Sequence, residues 1–309
     1  MSAPTPEMSA PSAPPGGLTG ARATSGRRPR ASPSALAVRR FRTHKLAVAG
    51  LVVILLIALA ALAAPLLATH SPTAVNLAEF RSSPSAAHLL GTDSAGRDVL
   101  SRLLHAGRVS LGVGLTAAVT AAAIGLVLGA IAGNFGGWVD SVIMRATDVV
   151  LAFPSLVIVL VFVAVAGPSM GAIVLAIGLF EWPVAARIVR GMTLSLREQD
   201  FIQAARALGA PHRWVIVRHI VPSVVSPLIV VTTLLVAQAV LMEAALSFLG
   251  LGIQPPNPSW GNMLYDAQSL TILQTMPWLW IPPGVAIAVS VLSVNFVGDG
   301  LRDALDPRR

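Results

Sequence analysis

The sequence predicts an all-α membrane protein with six transmembrane helices. Of its 309 residues, 54% are hydrophobic and only 12% are charged, whereas a soluble domain carries about 25% charged residues. Six apolar stretches are long enough, at about 1.5 Å per helical residue, to cross a hydrocarbon core of about 30 Å. Basic residues collect in short stretches between them, as the positive-inside rule describes for cytoplasmic loops.

The first predicted span, Leu46 to Leu67, runs outward from the cytoplasm because four basic residues stand immediately before it: Arg39, Arg40, Arg42 and Lys45. Residues 1–35 are rich in Ser, Ala, Pro, Gly and Thr and bury too little apolar surface to fold, so they predict a disordered cytoplasmic tail. A cleaved signal peptide is the competing interpretation, but the apolar run begins too late and is too long. The transmembrane domain then comprises residues 36–309.

A polar connection over residues 69–105 predicts the first outer loop. The second span, Arg108 to Ile131, is rich in small residues that allow close helix approach in lipid. Its glycines include Gly112, Gly114, Gly125 and Gly129. The third span covers Ser141 to Ala166 and is interrupted at Phe153-Pro154, where neighbouring groups must satisfy the carbonyl that the proline frees.

The remaining spans are predicted at Gly171 to Val189, Val224 to Leu251 and Trp278 to Gly298. The second outer loop, residues 252–276, contains neither Lys nor Arg. Six crossings make the chain a multi-pass membrane protein with both termini in the cytoplasm. They place the arginine-rich segment between the fourth and fifth spans on that same side.

That polar segment, residues 195–222, is predicted to be a helix-glycine-helix unit. Ser195 and Glu198 have the spacing of a capping box, so a helix is expected to begin there. Gly209 can take the left-handed conformation that ends it, and Pro211 suits the first turn of a second helix. Apolar residues of this second helix fall on one face at spacings of three or four: Trp214, Val217 and Ile220 or Val221.

The sequence lacks the patterns of several other functional classes. It has no cysteine, which excludes disulfides, thiolate catalysis and cysteine-ligated metals. No nucleophile and base recur at usable spacing, so no catalytic residue is assigned and an intramembrane enzyme is disfavoured. The net charge of +8 flanks the spans, so no nucleic-acid partner is expected. No metal site is expected either, because the six histidines share no ligand spacing: His44, His70, His88, His105, His212 and His219.

The segment 195–222 resembles a loop of the membrane subunits of binding-protein-dependent ABC importers, whose pattern is E-A-A-x-x-x-G followed by I-x-L-P. The residues that align with this pattern are Gln203-Ala204-Ala205, Gly209 and Val221-Pro222. Three positions depart from the pattern: Gln203, His219 and Val221. Further segments, in the right order, resemble the C-type subunit of the dipeptide, oligopeptide and nickel permeases: residues 90–102, 136–140, 244–252, 258–262 and 298–307.

This resemblance implies the type I ABC importer permease fold, in which the segment 195–222 is a coupling loop whose helix docks into a cytoplasmic ATPase subunit. The implied coupling residues are Gln203, Ala204, Ala205, Arg206, Gly209 and Pro222. Arg206 is expected to pair with acidic groups on that ATPase. The implied function is ATP-driven import of dipeptides or oligopeptides across the inner membrane by alternating access.

The implied partners are a homologous second permease in a heterodimer, two ATP-binding subunits, an extracytoplasmic solute-binding protein and membrane lipid. The chain has no G-x-x-x-x-G-K-[ST] loop, so no cofactor is expected on it, and ATP and Mg belong to partner subunits. Members that carry dipeptides, longer peptides or nickel chelates look alike at this level, and the receptor largely selects the solute.

An ATP-independent channel or secondary carrier is the alternative function. Glu181 and Glu243 would then be ion-coupling groups in the pathway, because carboxylates within spans are costly and functional by default. In the structural interpretation, Glu181 pairs with Arg187 or lies at the water interface, and Glu243 bonds to a neighbouring helix.

Residues of the two outer loops are candidates for receptor docking. Asp93, Arg97 and Asp98 predict a folded first loop held by internal salt bridges, whose outer face can receive a solute-binding protein. Candidates in the second loop are Asn257, Trp260 and Asn262, although proline-rich loop structure explains them nearly as well.

Overall fold

The computed structural model describes residues 33–305, in which all regular structure is helical apart from one isolated bridge between Thr92 and Asp98. The α-helices of this part of the chain are α1 (Pro33–Thr43), α2 (Lys45–Leu62), α3 (Ala64–Leu67), α4 (Val99–Phe135), α5 (Gly137–Leu151), α6 (Ser155–Ala166), α7 (Met170–Arg197), α8 (Asp200–Ala207), α9 (His212–Val215), α10 (Val221–Phe248), α11 (Trp260–Tyr265), α12 (Leu270–Thr275) and α13 (Pro277–Leu305). A 3₁₀ turn covers Leu77–Glu79, and a π turn covers Ile216–Ile220.

Within residues 33–305, five helices are long and apolar enough to cross a membrane: α2, α4, α7, α10 and α13. Helices α5 and α6 together form a sixth candidate span, which bends by 87° at the break between them. Pro154 stands at this break as the N-cap of α6, in the position where the sequence predicts an interruption. The predicted all-α architecture with up to six spans is therefore confirmed.

Several predicted boundaries move. Helix α4 begins at Val99, so residues 99–105 of the predicted outer loop are helical and continuous with the second span. The cause is a cap: Asp98 Oδ2 accepts a hydrogen bond of 2.7 Å from Ser101 N and satisfies the first turn of the helix. At 37 residues α4 is about 55 Å long, which exceeds a hydrocarbon core of about 30 Å. Of the predicted tail, residues 1–32 lie outside the described part, and residues 33–35 begin α1.

Helices α4 and α7 pack closely because glycines line α4 at intervals of four. A Cβ atom added at Gly125 would lie 2.5 Å from Ala185 Cβ, and one at Gly129 would lie 2.5 Å from Ala186 O. Gly133, which was not among the predicted contact glycines, approaches Thr193 in the same way. Gly112 faces open space, so the prediction of a close approach is wrong at that position.

Buried side chains form a cluster at each of the two ends of the helix bundle. At one, the α8 end, Ile202 and Val215 pack into a cluster with residues of α4, α7 and α10. The described ends of the chain lie there too, because Asp299 and Arg302 of α13 line one cavity with Ile188 and Pro227, and Gly300 approaches Ala47 of α2. At the other, the α11 end, Trp260 packs with α4 and α13. The segment 195–222 and residues 68–98 therefore lie at opposite ends.

Candidate functional site

The first helix of the segment 195–222 begins later than the capping-box prediction places it. Ser195 lies within α7, which continues to Arg197, and α8 begins only at Asp200. The N-cap of α8 is Gln199, whose backbone is extended at φ −75° and ψ 140°. The capping box is wrong because Leu196 packs against the core, so tertiary contacts extend α7 past the polar signal.

Gly209 ends α8 as predicted. Its φ is +83°, a left-handed conformation that side chains disfavour. Gly209 N donates to Arg206 O at 2.9 Å, and Ala210 N donates to Ala205 O at 3.0 Å. These two bonds form a Schellman motif, which satisfies the last carbonyls of the helix and turns the chain sharply.

The second half of the segment is continuous with a membrane span. Helix α9, the π turn and α10 form one helical rod from His212 to Phe248. In the π turn, Val221 N donates to Ile216 O, and Pro222 follows with no N–H of its own. Because the π turn is wider than an α turn, it rotates the residues that follow it. The predicted shared face is therefore wrong: Trp214 and Val217 are exposed while Ile220 is buried.

A buried amide joins α4 to both halves of this segment. Arg206 Nη2 donates to Asn134 Oδ1 at 2.7 Å, and Asn134 Nδ2 lies 3.1 Å from His212 Nδ1. The His212 ring also stacks on Phe135 at 4.7 Å. One nitrogen of the Arg206 guanidinium thus binds within the chain. The expected pairing of Arg206 with an acidic group of an ATPase stays a prediction. Sequence reasoning missed Asn134, whose only local signal is a polar residue at the end of a long apolar helix.

The segment exposes several large apolar side chains. Leu208 is 90% exposed, and Phe201 and Trp214 are also exposed. His219 lies between the last two rings, at 5.6 Å from Phe201 and 4.9 Å from Trp214. Gln203 Nε2 donates to the carbonyl of Glu198 at 3.2 Å. Gln203 and His219, which depart from the family pattern, thus have structural partners within the segment.

At the α11 end, a network of charges holds the first outer loop. Asp93 accepts hydrogen bonds from Arg97 Nε at 2.7 Å and from Arg102. Both arginines also reach Asp266 Oδ2, at 3.3 and 3.2 Å. Burial alone would raise the pKa of Asp93, but Arg102, the Ala95 and Arg97 N–H groups and the Arg97 charge hold it below its usual range. The predicted folded loop with internal salt bridges is confirmed.

The second outer loop is anchored from inside. Trp260 is 2% exposed, and its Nε1 donates to Leu103 O at 3.2 Å. Ser259 and Asn262 form a capping box, in which each side chain accepts from the backbone N–H of the other. Asn262 Nδ2 also donates to Asn257 O at 2.9 Å.

These positions change which candidate residues can touch a docking protein directly. Asn257 is exposed, and Arg97 is half-buried. The side chains of the other candidates are buried within the chain, and their part in docking stays a prediction: Asp93, Asp98, Trp260 and Asn262. They shape the surface of the α11 end.

Comparison with known proteins identifies the family to which this chain belongs. Residues 125–309 match the family of binding-protein-dependent transport system inner membrane components. The chain belongs to this family. Residues 32–84 of the permease also match the N-terminal transmembrane domain of oligopeptide transport permease C. The permease is a membrane-spanning transport subunit and not an enzyme, and the family decides against the channel or secondary-carrier alternative.

Three relatives cover most of the permease. A putative peptide permease protein of Brucella suis is 42% identical over 276 residues, which are 89% of this chain and 91% of that protein. A dipeptide transport system permease protein of Alkalihalophilus pseudofirmus is 43% identical over 277 residues, 90% of each chain. A glutathione transport system permease protein of Pectobacterium atrosepticum is 42% identical over 271 residues, 87% of this chain and 89% of that one.

The two intramembrane carboxylates of the permease have different surroundings. Glu243 is fully buried and accepts hydrogen bonds from Ser110 of α4 at 2.8 Å and from Ser247 at 2.7 Å. Glu181 is buried in α7, and its Oε1 has no hydrogen-bond partner among residues 33–305. The expected pairing with Arg187 is wrong, because that guanidinium binds Asp148 at 2.7 Å.

The spacing of the histidines in the sequence suggested that they lie apart, but two of them lie close together in the fold. His70 and His88 come together with Asp98, with ligand atoms within 4.8 Å of one another. The hydrogen bond to Asp98 raises the pKa of His88 although burial opposes it, and Glu79 adds to the rise. Sequence reasoning missed this group because the fold, and not local spacing, brings its members together.

Proposed function

We propose that this permease pairs with a homologous second permease to import dipeptides or oligopeptides across the cytoplasmic membrane. Two ATP-binding subunits bind at the α8 end, and a solute-binding protein docks at the α11 end. ATP and Mg are held by the partner subunits, and this chain contributes no cofactor. The names of the relatives, which refer to peptide, dipeptide and glutathione transport, support a peptide as the solute.

The observation that carries this proposal is the connection between the segment 195–222 and the spans. Helix α8 is joined to α7 by two residues, and after Gly209 the chain continues as one rod into α10. The Arg206–Asn134–His212 bonds and the buried Ile202 hold α8 against α4 and the core. A rigid-body displacement of α8 therefore moves α4 and α10 with it, as alternating access requires.

The surface of the α8 end suits an ATPase partner. Exposed apolar side chains rarely form contiguous patches on a surface that stays free. Phe201 and Trp214 stand exposed on either side of His219, and Leu208 is exposed on the same segment. The small side chain of Ala204 allows a partner to approach the helix closely. Arg213 and Arg218 are exposed on the same segment, which supports its cytoplasmic placement and that of both termini.

The α11 end suits a folded receptor. Its loops are held by the Asp93 network and by Trp260, so they present a fixed surface in place of a mobile one. Asn257 is exposed in a proline-rich turn, where it is available for contact. Pre-formed surfaces bind partners without the cost of ordering flexible loops.

Transport by the reconstituted complex tests this function. Liposomes would contain the permease, its second permease and the ATPases, with solute-binding protein outside and labelled dipeptide as solute. We expect uptake that requires ATP and the binding protein, and that unlabelled dipeptide suppresses by competition. Uptake that persists without the ATPase subunits would contradict the coupling mechanism. ATP-dependent uptake that no peptide competes with would contradict the solute class alone.

A further inference from the structure

Two histidines and one carboxylate meet at the α11 end, outside the membrane-spanning helices. His88 Nδ1 lies 2.9 Å from Asp98 Oδ1, and His70 Nδ1 lies 4.0 Å from the same oxygen. The two imidazole rings are 4.5 Å apart. We propose that His70, His88 and Asp98 bind one divalent transition-metal ion of the zinc class.

The donor set and its dimensions fit such an ion. Zinc favours imidazole nitrogen and carboxylate oxygen in a tetrahedral arrangement, and three protein ligands leave the fourth position for water. Four ligands at about 2.1 Å from a tetrahedral metal stand about 3.4 Å apart. The separations of 2.9 and 4.0 Å that involve Asp98 Oδ1 bracket this value, so small rotations of the side chains suffice.

The surroundings of His88 and Asp98 match those of metal ligands. His88 Nε2 lies 3.2 Å from Glu79 Oε2, so a metal on Nδ1 would face a carboxylate-oriented imidazole. Glu79 is itself held by Asn76 Nδ2 at 2.7 Å. Asp98 uses Oδ2 to cap α4 through Ser101 N, which leaves Oδ1 toward the two histidines. His88 and Asp98 are therefore both fixed in orientation before an ion binds.

His70 supplies the open side of the site. Its side chain is 41% exposed, whereas those of His88 and Asp98 are buried. Its backbone N–H is held by Ser101 Oγ at 3.2 Å, and Thr69 Oγ1 lies 3.0 Å from its Nδ1. On binding, Thr69 gives up that contact, and the proton shared by His88 Nδ1 and Asp98 Oδ1 is released to solvent.

The ion would connect three points of one segment. His70 follows α3, His88 lies in the middle of the loop, and Asp98 caps α4. A metal clip between them closes the chain from residue 70 to residue 98 and stabilises the first outer loop. This inference does not depend on the peptide solute or on the ATPase, because metal binding is measured on the permease itself.

Calorimetric titration of the tag-free, chelator-treated full-length permease in detergent with ZnCl₂ tests the site. We expect one zinc per chain, and with CoCl₂ the visible absorption of a tetrahedral cobalt site. His70→Ala and Asp98→Asn should each weaken binding by about ten-fold or more, and Glu79→Gln by about ten-fold through the orientation of His88. Asparagine still caps α4, so Asp98→Asn preserves the helix start.

His105→Ala is the matched control, because His105 lies on the first turns of α4 and binds Ser101 O instead of the cluster. Its zinc affinity should equal that of the unaltered permease. Absence of saturable binding would overturn the proposal. Binding that His70→Ala and Asp98→Asn leave unchanged, or that His105→Ala weakens equally, would overturn it as well.

Discussion

Arg206 Nη2 and Asn134 Oδ1 are 2.7 Å apart, although 72 residues separate them in the sequence. Arg206 belongs to α8, and Asn134 lies in the last turn of α4. Asn134 is almost fully buried, and a charge-assisted bond to such a group contributes about 1.5–3 kcal/mol. This bond fixes α8 to the helix bundle, so that a movement of α8 is transmitted to the bundle.

Gly209→Ala should reduce coupling because alanine is strained at a φ of +83°. A left-handed conformation costs a side-chain residue about 1–2 kcal/mol. No neighbour lies within 4 Å of the added Cβ, so the expected loss comes from the backbone alone. ATP-dependent uptake by reconstituted complexes measures it. Gly191→Ala, at a helical position that is equally open, should leave uptake unchanged. Equal uptake by the two variants would contradict the assignment.

Gly129→Ala should destabilise the permease, since the added Cβ would lie 2.5 Å from Ala186 O of α7. Overpacking at a close contact costs about 1–3 kcal/mol. The measurement is the midpoint of thermal unfolding in detergent. Gly112→Ala on the same helix meets no atom within 4 Å and serves as the control. Alanine is the better helix former, so Gly112→Ala should leave the midpoint unchanged or raise it. A midpoint that falls no further in Gly129→Ala than in Gly112→Ala would contradict the close α4–α7 contact.

Glu243→Ala should leave the hydroxyls of Ser110 and Ser247 without their acceptor in a buried position. Each buried polar group left unpaired costs about 1–3 kcal/mol. Adding Ser110→Ala to Glu243→Ala should therefore destabilise less than the sum of the two single changes. Unfolding free energies of the four proteins give the coupling. Strict additivity would show that the Ser110–Glu243 bond contributes nothing.

Asp93→Asn should loosen the first outer loop, because the buried Arg102 then keeps only Asp266 Oδ2, at 3.2 Å, as an acidic partner. Removing one member of a buried pair costs about 3–5 kcal/mol where no other partner remains, which is the upper limit here. Hydrogen exchange over residues 79–98 should therefore accelerate at neutral pH. Asp299→Asn, an exposed position at the α8 end, is the control. Unchanged exchange in Asp93→Asn would contradict the proposed network.

The same carboxylate predicts a pH dependence. Its pKa in the folded protein lies below the ordinary value of 3.8, so its contribution to stability is complete above pH 3.8. That contribution is lost as the pH falls through the lowered pKa, because the unfolded chain then binds more protons. Exchange over the loop, expressed relative to that of the unstructured chain at the same pH, should rise below pH 3.8 in the unaltered permease. The Asp93→Asn variant should lack this part of the acid response. An acid response identical in the two proteins would contradict the prediction.

The features that the sequence predicts correctly are those that depend on local pattern. Apolar runs long enough to span lipid predict the membrane helices. Gly209 is recognisable because a left-handed helix end favours glycine wherever it occurs. The break near Pro154 follows from the restriction that proline places on the residue before it. In each case the cause lies within a few residues of the effect.

The features that were missed depend on residues far apart in the chain. The start of α8 moves because packing of Leu196 overrides the capping signal at Ser195. Asn134 meets Arg206 only once α4 and α8 are placed side by side. His70, His88 and Asp98 have no common spacing, since the folded loop alone brings their ligand atoms together. Patterns read along the chain carry no information about such contacts.

The most direct test of the coupling mechanism is the number of peptides imported per ATP hydrolysed by the reconstituted complex. Arg206→Ala removes the bond to Asn134, while Arg213→Ala removes an exposed arginine of the same segment. Loss of a hydrogen bond that contributes about 1.5 kcal/mol changes an equilibrium constant by about ten-fold. We expect Arg206→Ala to lower the ratio by about that factor while ATP hydrolysis continues, and Arg213→Ala to leave it unchanged. An unchanged ratio in Arg206→Ala, or an equal fall in both variants, would contradict the account.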